Sequence, residues 1–299
     1  MDRIAISGST GLVGSALQTM LKEKGYEVLS LVRSNQKTGI LWDPEKKEFQ
    51  TDALEGSKAL IHLAGHTVAQ RWSAKVKEKI LTSRVDGTRL IVDGLRRMKN
   101  PPNILISASA VGYYGNRGEE ILTEDAKKGE DFFLCRVVEE WEAEAQKAEA
   151  FGIRVIRLRF GVILSTKGGA LKKMLLPFKM GLGGPISHGQ QWMPWISLND
   201  TLRAICFSLE NTQISGVFNV VSPQPTTNKE FSKTLGRVLH RPAFFPLPAF
   251  QAKLIFGEMA KELLLASTRC EPKRLLEQGF TFEDPSLQSA LQKILTQHI

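Results

Sequence analysis

The chain has 299 residues, 42% of them apolar and 24% charged, with 25 glycines and 13 prolines. That composition supports a large buried core and excludes a disordered, collagen-like or coiled-coil chain. Lysine and arginine outnumber aspartate and glutamate by 40 to 31, a net charge of +9, which suits an anionic ligand without identifying one.

Ile4 to Ile6 reads as a short buried strand, followed at once by Gly8-Ser9-Thr10-Gly11-Leu12-Val13-Gly14. Val13, Ala16, Leu17, Met20 and Leu21 then recur at helical spacing until Gly25 stops the helix. Tyr26 to Val32 is a second strand ending in Arg33-Ser34, so the opening is a βαβ unit. The alternation continues with a strand at Ala59–Leu63 and a helix at Ser73–Met98 expected to break near Asp86-Gly87. A strand at Asn103–Ser109, a helix at Asp131–Ala150 with Glu139, Glu140, Glu142, Glu144 and Glu149 outside, and a strand at Ile153–Arg159 follow. Such spacing predicts an α/β fold with a Rossmann-type doubly wound parallel sheet. Beyond residue 165 the rhythm gives way to a glycine-punctuated stretch around a basic helix (Lys172, Lys173, Lys179). A helix at Asn199–Glu210 and a strand at Gly216–Val221 then return toward the sheet. The predicted division is 1–165 plus 197–222 for a nucleotide-binding domain, and 166–196 plus 223–299 for a smaller, mostly helical C-terminal subdomain.

Cys135, Cys206 and Cys270 are far apart and odd in number, which gives no disulfide framework and favours a cytoplasmic location. Met1 runs directly into the first strand, so no signal peptide is expected, and Leu254–Ala266 is too short and too charged to span a bilayer. Neither a membrane nor a nucleic-acid partner is expected, the cationic residues being scattered. His62 and His66 fall on a strand and its loop rather than on one helical face, so no metal site is expected. Oligomeric state is left open.

Glycines at 8, 11 and 14 between a strand and a helix suit a pyrophosphate, which must lie against backbone N–H groups at a helix start, where a Cβ would hold it away. An NAD site usually places a carboxylate about 20 residues further on. Arg33 stands there, with Ser34 beside it, and a guanidinium grips a 2′-phosphate that a carboxylate would repel. The expected cofactor is NADP(H).

With His62-Leu63-Ala64-Gly65, Ser107 to Gly115, Trp141-Glu142, Arg159 to Leu164, Leu176-Pro177-Phe178 and Trp192 to Ile196, these motifs resemble the extended short-chain dehydrogenase/reductases. Within them the chain is similar to the NADP-binding "epimerase family", often labelled SulA-like cell-division inhibitors, with a C-terminal domain of unknown function. The resemblance implies phosphate contacts from Ser9, Thr10, Gly11, Leu12 and Val13, and 2′-phosphate contacts from Arg33. It also implies cofactor contacts from Leu63, Ala64, Gly65 and Arg84, and Ser107, Phe160, Gly161 and Val162 near the nicotinamide.

That superfamily transfers protons with Tyr-x-x-x-Lys, the lysine lowering the phenol pKa. This chain has only Tyr26, Tyr113 and Tyr114, and the aligned pairs Phe133/Val137 or Leu134/Val138 are apolar. Ser109, which could polarise a carbonyl or simply be a satisfied strand-end serine, and Tyr114 remain as catalytic candidates. Tyr113 suits packing, and Trp192 and Trp195 suit either a substrate cleft or the core. The sequence thus points to an NADP(H)-dependent oxidoreductase or epimerase-like enzyme on a small polar substrate. The alternative is a catalytically weak or silent NADP(H)-binding regulator.

Overall fold

Unbroken apolar runs such as Ile4-Ala5-Ile6, Leu60-Ile61 and Leu105-Ile106 mark strands covered on both faces, and every one of these side chains is buried. The computed structural model describes residues 1–33, 38–130 and 132–296. In chain order its strands are β1 (Arg3–Ser7), β2 (Glu27–Val32), β3 (Ile40–Asp43), β4 (Glu48–Phe49), β5 (Ala59–His62) and β6 (Ile104–Ala110). Then come β7 (Ile121–Leu122), β8 (Arg154–Phe160), β9 (Val162–Leu164), β10 (Trp195–Ser197), β11 (Gly216–Val220) and β12 (Arg269–Cys270). The helices are α1 (Leu12–Glu23), α2 (Ala74–Arg97), α3 (Phe133–Gln146), α4 (Gly169–Lys179), α5 (Leu198–Glu210), α6 (Asn228–Leu239), α7 (Ala249–Phe256), α8 (Lys273–Glu277) and α9 (Leu287–Thr296).

Eight strands form one sheet in the order β11-β8-β6-β5-β1-β2-β3-β4, parallel throughout except for the β3–β4 hairpin at one edge. This is a Rossmann-type α/β fold with a helix-rich C-terminal part. Alternate strand residues divide between the two faces. Ile4, Ile6, Ile61, Ile106 and Leu158 pack with Leu17, Leu21, Leu202 and Ile205 of α1 and α5. Ala5, Leu60, Leu105 and Val155 pack with Ile91, Leu95 and Ala145 of α2 and α3. A further core joins α4, α6 and α9 through Leu171, Phe178, Phe231, Leu235 and Leu291, and takes in Trp195. Among the described residues no helix is long and apolar enough to cross a membrane.

Three elements differ from the pattern read in the sequence. Helix α2 runs through Gly87 without a break, because there the missing side chain admits Trp42, whose ring would lie 3.3 Å from a Cβ. The β3–β4 hairpin was not read at all, its strands being only four and two residues long. Glu142 and Glu144, assigned to an outer face, are buried, since each meets an arginine: Arg159 for Glu142 and Arg89 for Glu144.

Helix α3 begins without a side-chain cap of its own. The carboxylate of Glu262, far along the chain, accepts the N–H groups of Phe133 and Leu134 at 2.9 Å each. Burial pushes the Glu262 pKa up while these two backbone bonds pull it down. Replacing Glu262 by Ala leaves one buried and one half-buried donor unmet and is expected to lower stability by about 1–3 kcal/mol in urea denaturation, with Glu262→Gln losing less.

Candidate functional site

Strand order reverses between β1 and β5. The loops leaving their carboxyl ends therefore diverge and open a crevice. Gly8 takes φ +72°, and a Cβ there would strike the Ala64 backbone nitrogen at 2.8 Å. A Cβ on Gly14 would sit 2.2 Å from the Gly8 carbonyl oxygen. The two loops touch only because neither residue has a side chain. Gly11 donates to the Gly8 carbonyl at 3.0 Å, and α1 starts at Leu12 with no side-chain cap, so its first N–H groups stand open to an anion.

The resulting cleft of about 390 Å³ is lined by Gly8, Ser9, Thr10, Gly11, Arg33, Leu63, Ala64 and Gly65, all singled out in the sequence. Leu31, Val32, Trp42, Pro44 and Ser83 line it too and were missed. Trp42 and Pro44 belong to the unread hairpin region, and Leu31 and Val32 read only as strand core. A larger opening of about 780 Å³ lies between α4, α6 and α9, and none of the predicted site residues lines it. Arg33 projects into solvent with one guanidinium nitrogen 3.9 Å from the Glu45 carboxylate, both side chains more than half exposed. An ion pair that exposed holds little energy. Ser34 lies outside the described residues.

Side chains behind the turn hold its shape. Gln18 donates to the Ser9 carbonyl at 2.8 Å and accepts from Ser30. The Ser7 hydroxyl accepts the N–H groups of Leu63 and Ala64 and lies 2.6 Å from His62 Nδ1. Burial, helped by the charge of Arg84, lowers the His62 pKa to about 3. Arg84 itself lies behind Gly65, donates to the His66 and Ile80 carbonyls and packs over Trp141. Burial lowers its pKa to about 10.

Leu12, Val13 and Gly14 form the first turn of α1 just beyond this lining, and Ser107, Phe160, Gly161 and Val162 lie further along the strand ends, also outside it. Ser107 is buried and bonds the Ala108 carbonyl. Gly161 packs against the Pro194 carbonyl oxygen, 2.7 Å from where a Cβ would be, and Val162 donates to that same oxygen. Trp195 is core, 1% exposed.

Ser109 and Tyr114 are brought together, but in the interior. Ser109 donates to Glu142 at 2.5 Å, and Glu142 is gripped through both oxygens by Arg159 at 2.7 Å each. Arg159 also donates to the Tyr114 hydroxyl at 2.9 Å, which in turn donates to Asn219 at 2.8 Å. Asn219 is held by the Leu122 and Glu271 carbonyls and the Glu124 carboxylate. Burial raises the Tyr114 pKa well above a free phenol despite the nearby arginine. Burial opposes the Arg159 charge, yet its bonds to Glu142 raise its pKa. As arranged, both hydroxyls are committed. Among the described residues no group of three or more His, Cys, Asp or Glu is placed to hold a metal ion.

A glycine turn at a sheet switch point, opening on a helix start, defines a nucleotide-binding α/β protein. Residues 4–221 match the NAD dependent epimerase/dehydratase family, and residues 247–294 match a domain of unknown function, DUF1731. The chain belongs to that epimerase family. It is 38% identical over 298 residues to the epimerase family protein YfhF of Bacillus subtilis, covering 98% of this chain and 97% of that one. The crystal structure of human epimerase family protein SDR39U1 with NADPH superposes with a TM-score of 0.91 at 33% identity, covering 99% of this chain and all of the other. A nucleoside-diphosphate sugar epimerase from Corynebacterium glutamicum matches with a TM-score of 0.81 at 34% identity, covering 98% of this chain and 58% of that one.

The neutral, buried His62 makes stability depend on pH with a definite sign. In the unfolded chain it protonates near its ordinary 6.5, whereas in the fold it resists until about 3. Its contribution is complete above pH 6.5 and drains as pH falls toward 3, by about 1.4 kcal/mol per pH unit. Urea denaturation from pH 7 to 5 is expected to show a shallower slope for His62→Gln than for the unaltered chain.

Proposed function

We propose that this chain binds NADP(H) and uses it in an oxidoreductase or epimerase-like reaction on a small polar substrate. One observation carries the reading: the side-chain-free turn after β1 and the Leu63–Gly65 loop after β5 share one cleft, with Arg33 on its wall. The residues fit the dinucleotide. Gly8 and Gly11 line the cleft and Gly14 lets α1 pack onto the turn, so a pyrophosphate would lie against the N–H groups of Ser9, Thr10, Leu12 and Val13, and the uncapped start of α1 favours its charge. Trp42, Pro44 and Leu31 are apolar groups available to a planar base. Arg33, loosely paired with Glu45, is free to exchange that partner for a 2′-phosphate, with Ser34 as its proposed neighbour. The NADPH bound by human SDR39U1 supports this choice.

Arg84 is assigned to the Gly65 side of the cofactor, and Ser107, Phe160, Gly161 and Val162 to the nicotinamide end. NADP(H), when bound, supplies hydride transfer. Residues 1–165 and 197–222 are assigned to cofactor binding, 166–196 and 223–299 to the substrate side, and the protein to the cytoplasm. The guanidinium contact predicts that Arg33→Ala weakens NADP(H) binding by about ten- to a hundredfold and barely changes NAD(H) binding. Isothermal titration calorimetry measures both, and equal affinity of the unaltered chain for the two cofactors would overturn the assignment.

A second reading, an NADP(H)-binding regulator with little or no turnover, is favoured by the commitment of Ser109 to Glu142 and of Tyr114 to Asn219. For Ser109 and Tyr114 to serve the chemical step, this network must release a hydroxyl to the substrate. Steady-state NADPH oxidation with carbonyl compounds and nucleotide sugars separates the readings. Turnover that falls by orders of magnitude in Ser109→Ala and Tyr114→Phe supports the enzyme, and no turnover above background supports the regulator.

A further inference from the structure

We propose that the face formed by the end of α4, the loop following it and α7 adsorbs to an anionic phospholipid surface. Leu176 on α4 and Met180 capping its end are 68% and 63% exposed, Leu182 in the loop 57%, Phe244 68%, and Phe250 and Leu254 on α7 68% and 72%. The pairs 176/180 and 250/254 are each four apart, so each helix directs its two apolar side chains from one side. The stretch that leads into α7 lies against the loop after α4. Phe245 donates to the Gly183 carbonyl, Leu247 to that of Pro185, and the Arg241 guanidinium to that of Lys179. So many large apolar side chains exposed on neighbouring segments mark a contact that is not made within the chain.

The charges say what the contact is with. Between Glu149 and Asp200, and again between Glu230 and Glu258, the sequence has no acidic residue at all. Within these stretches Lys172, Lys179, Arg241 and Lys253 are exposed, and none forms an ion pair among the described residues. A second copy of the chain is a poor occupant, because a two-fold interface would set these cations against themselves. A nucleic acid leaves projecting leucines and phenylalanines without a role. Aliphatic and aromatic side chains that project between lysines match the boundary of an anionic bilayer, where apolar tips enter the acyl region and ammonium groups meet phosphates. The expectation of no membrane partner rested on the lack of a spanning segment, and adsorption needs none.

Co-sedimentation of the full chain with vesicles tests this independently of the cofactor. Binding is expected to phosphatidylcholine vesicles containing about one-third phosphatidylglycerol, little to phosphatidylcholine alone, and less on adding about 0.5 M sodium chloride. The double variant Phe250→Ser/Leu254→Ser and the triple variant Lys172→Gln/Lys179→Gln/Lys253→Gln should each weaken binding by roughly tenfold or more, with thermal unfolding unchanged. Equal binding to both kinds of vesicle, binding to neither, or variants that bind like the unaltered chain would overturn the proposal. So would a dimer in size-exclusion chromatography that the Phe250→Ser/Leu254→Ser variant abolishes.

Discussion

The molecule depends on one steric exclusion: the space between the first turn of α1 and the ends of β1 and β5 has no room for a Cβ. Gly14 lies against the Gly8 carbonyl, and Gly8 against the Ala64 backbone. This contact brings the α1 start beside the β5 loop, and these two groups are the walls of the cleft. A methyl group at either position would act on backbone, which cannot swing aside as a flexible side chain does, so the strain would fall on the turn itself. The Gln18, Ser7 and His62 bonds fix loops that the glycines alone would leave free to take several forms. Absence of side chains gives the cleft its shape, and polar side chains behind it keep that shape single.

On the far side of β5 the sheet is organised by a charge rather than a gap. Arg159 and Glu142 are both nearly inaccessible and bonded through two parallel contacts. Removing either partner of such a pair leaves a bare charge in the interior, at a cost of about 3–5 kcal/mol. Ser109, Tyr114 and Asn219 satisfy the remaining donors and acceptors, so β6, β8, β11 and α3 share a polar seam within an otherwise apolar core. The seam contains Ser109 and Tyr114, the two hydroxyls proposed for catalysis. Here the same residues hold strands together, and that tension between architecture and chemistry is the central feature of the protein.

The sheet, its helices and the glycine turn were legible in the sequence because each leaves a local trace: continuous apolar runs, a 3.6-residue period, glycines at fixed offsets. The cleft floor at Leu63 to Gly65 was read only through the family resemblance, since no local period or glycine spacing marks it as a cofactor contact. Trp42 and Pro44 were not, because β3 and β4 are too short to show a period and only their neighbours make them strands. Gly87 misled because glycine in a helix usually costs stability, and only the facing Trp42 explains it. Glu142 was read as surface from its place in an acidic run. Nothing within α3 reveals that Arg159, on a different element, faces it. Residues whose meaning lies in a partner distant along the chain stay hidden until the chain is folded.

The cap on α3 has a consequence for how the polypeptide is made. The first two amides of that helix wait for a carboxylate 129 and 128 positions downstream. While the nascent chain leaves the ribosome, α3 emerges with its start frayed, and stays so until residue 262 clears the exit tunnel. The edge strand β11 also arrives after β8, its neighbour in the sheet. Completion of the sheet and of α3 is thus a late event in synthesis, and a chain truncated ahead of residue 262 would carry an open helix start.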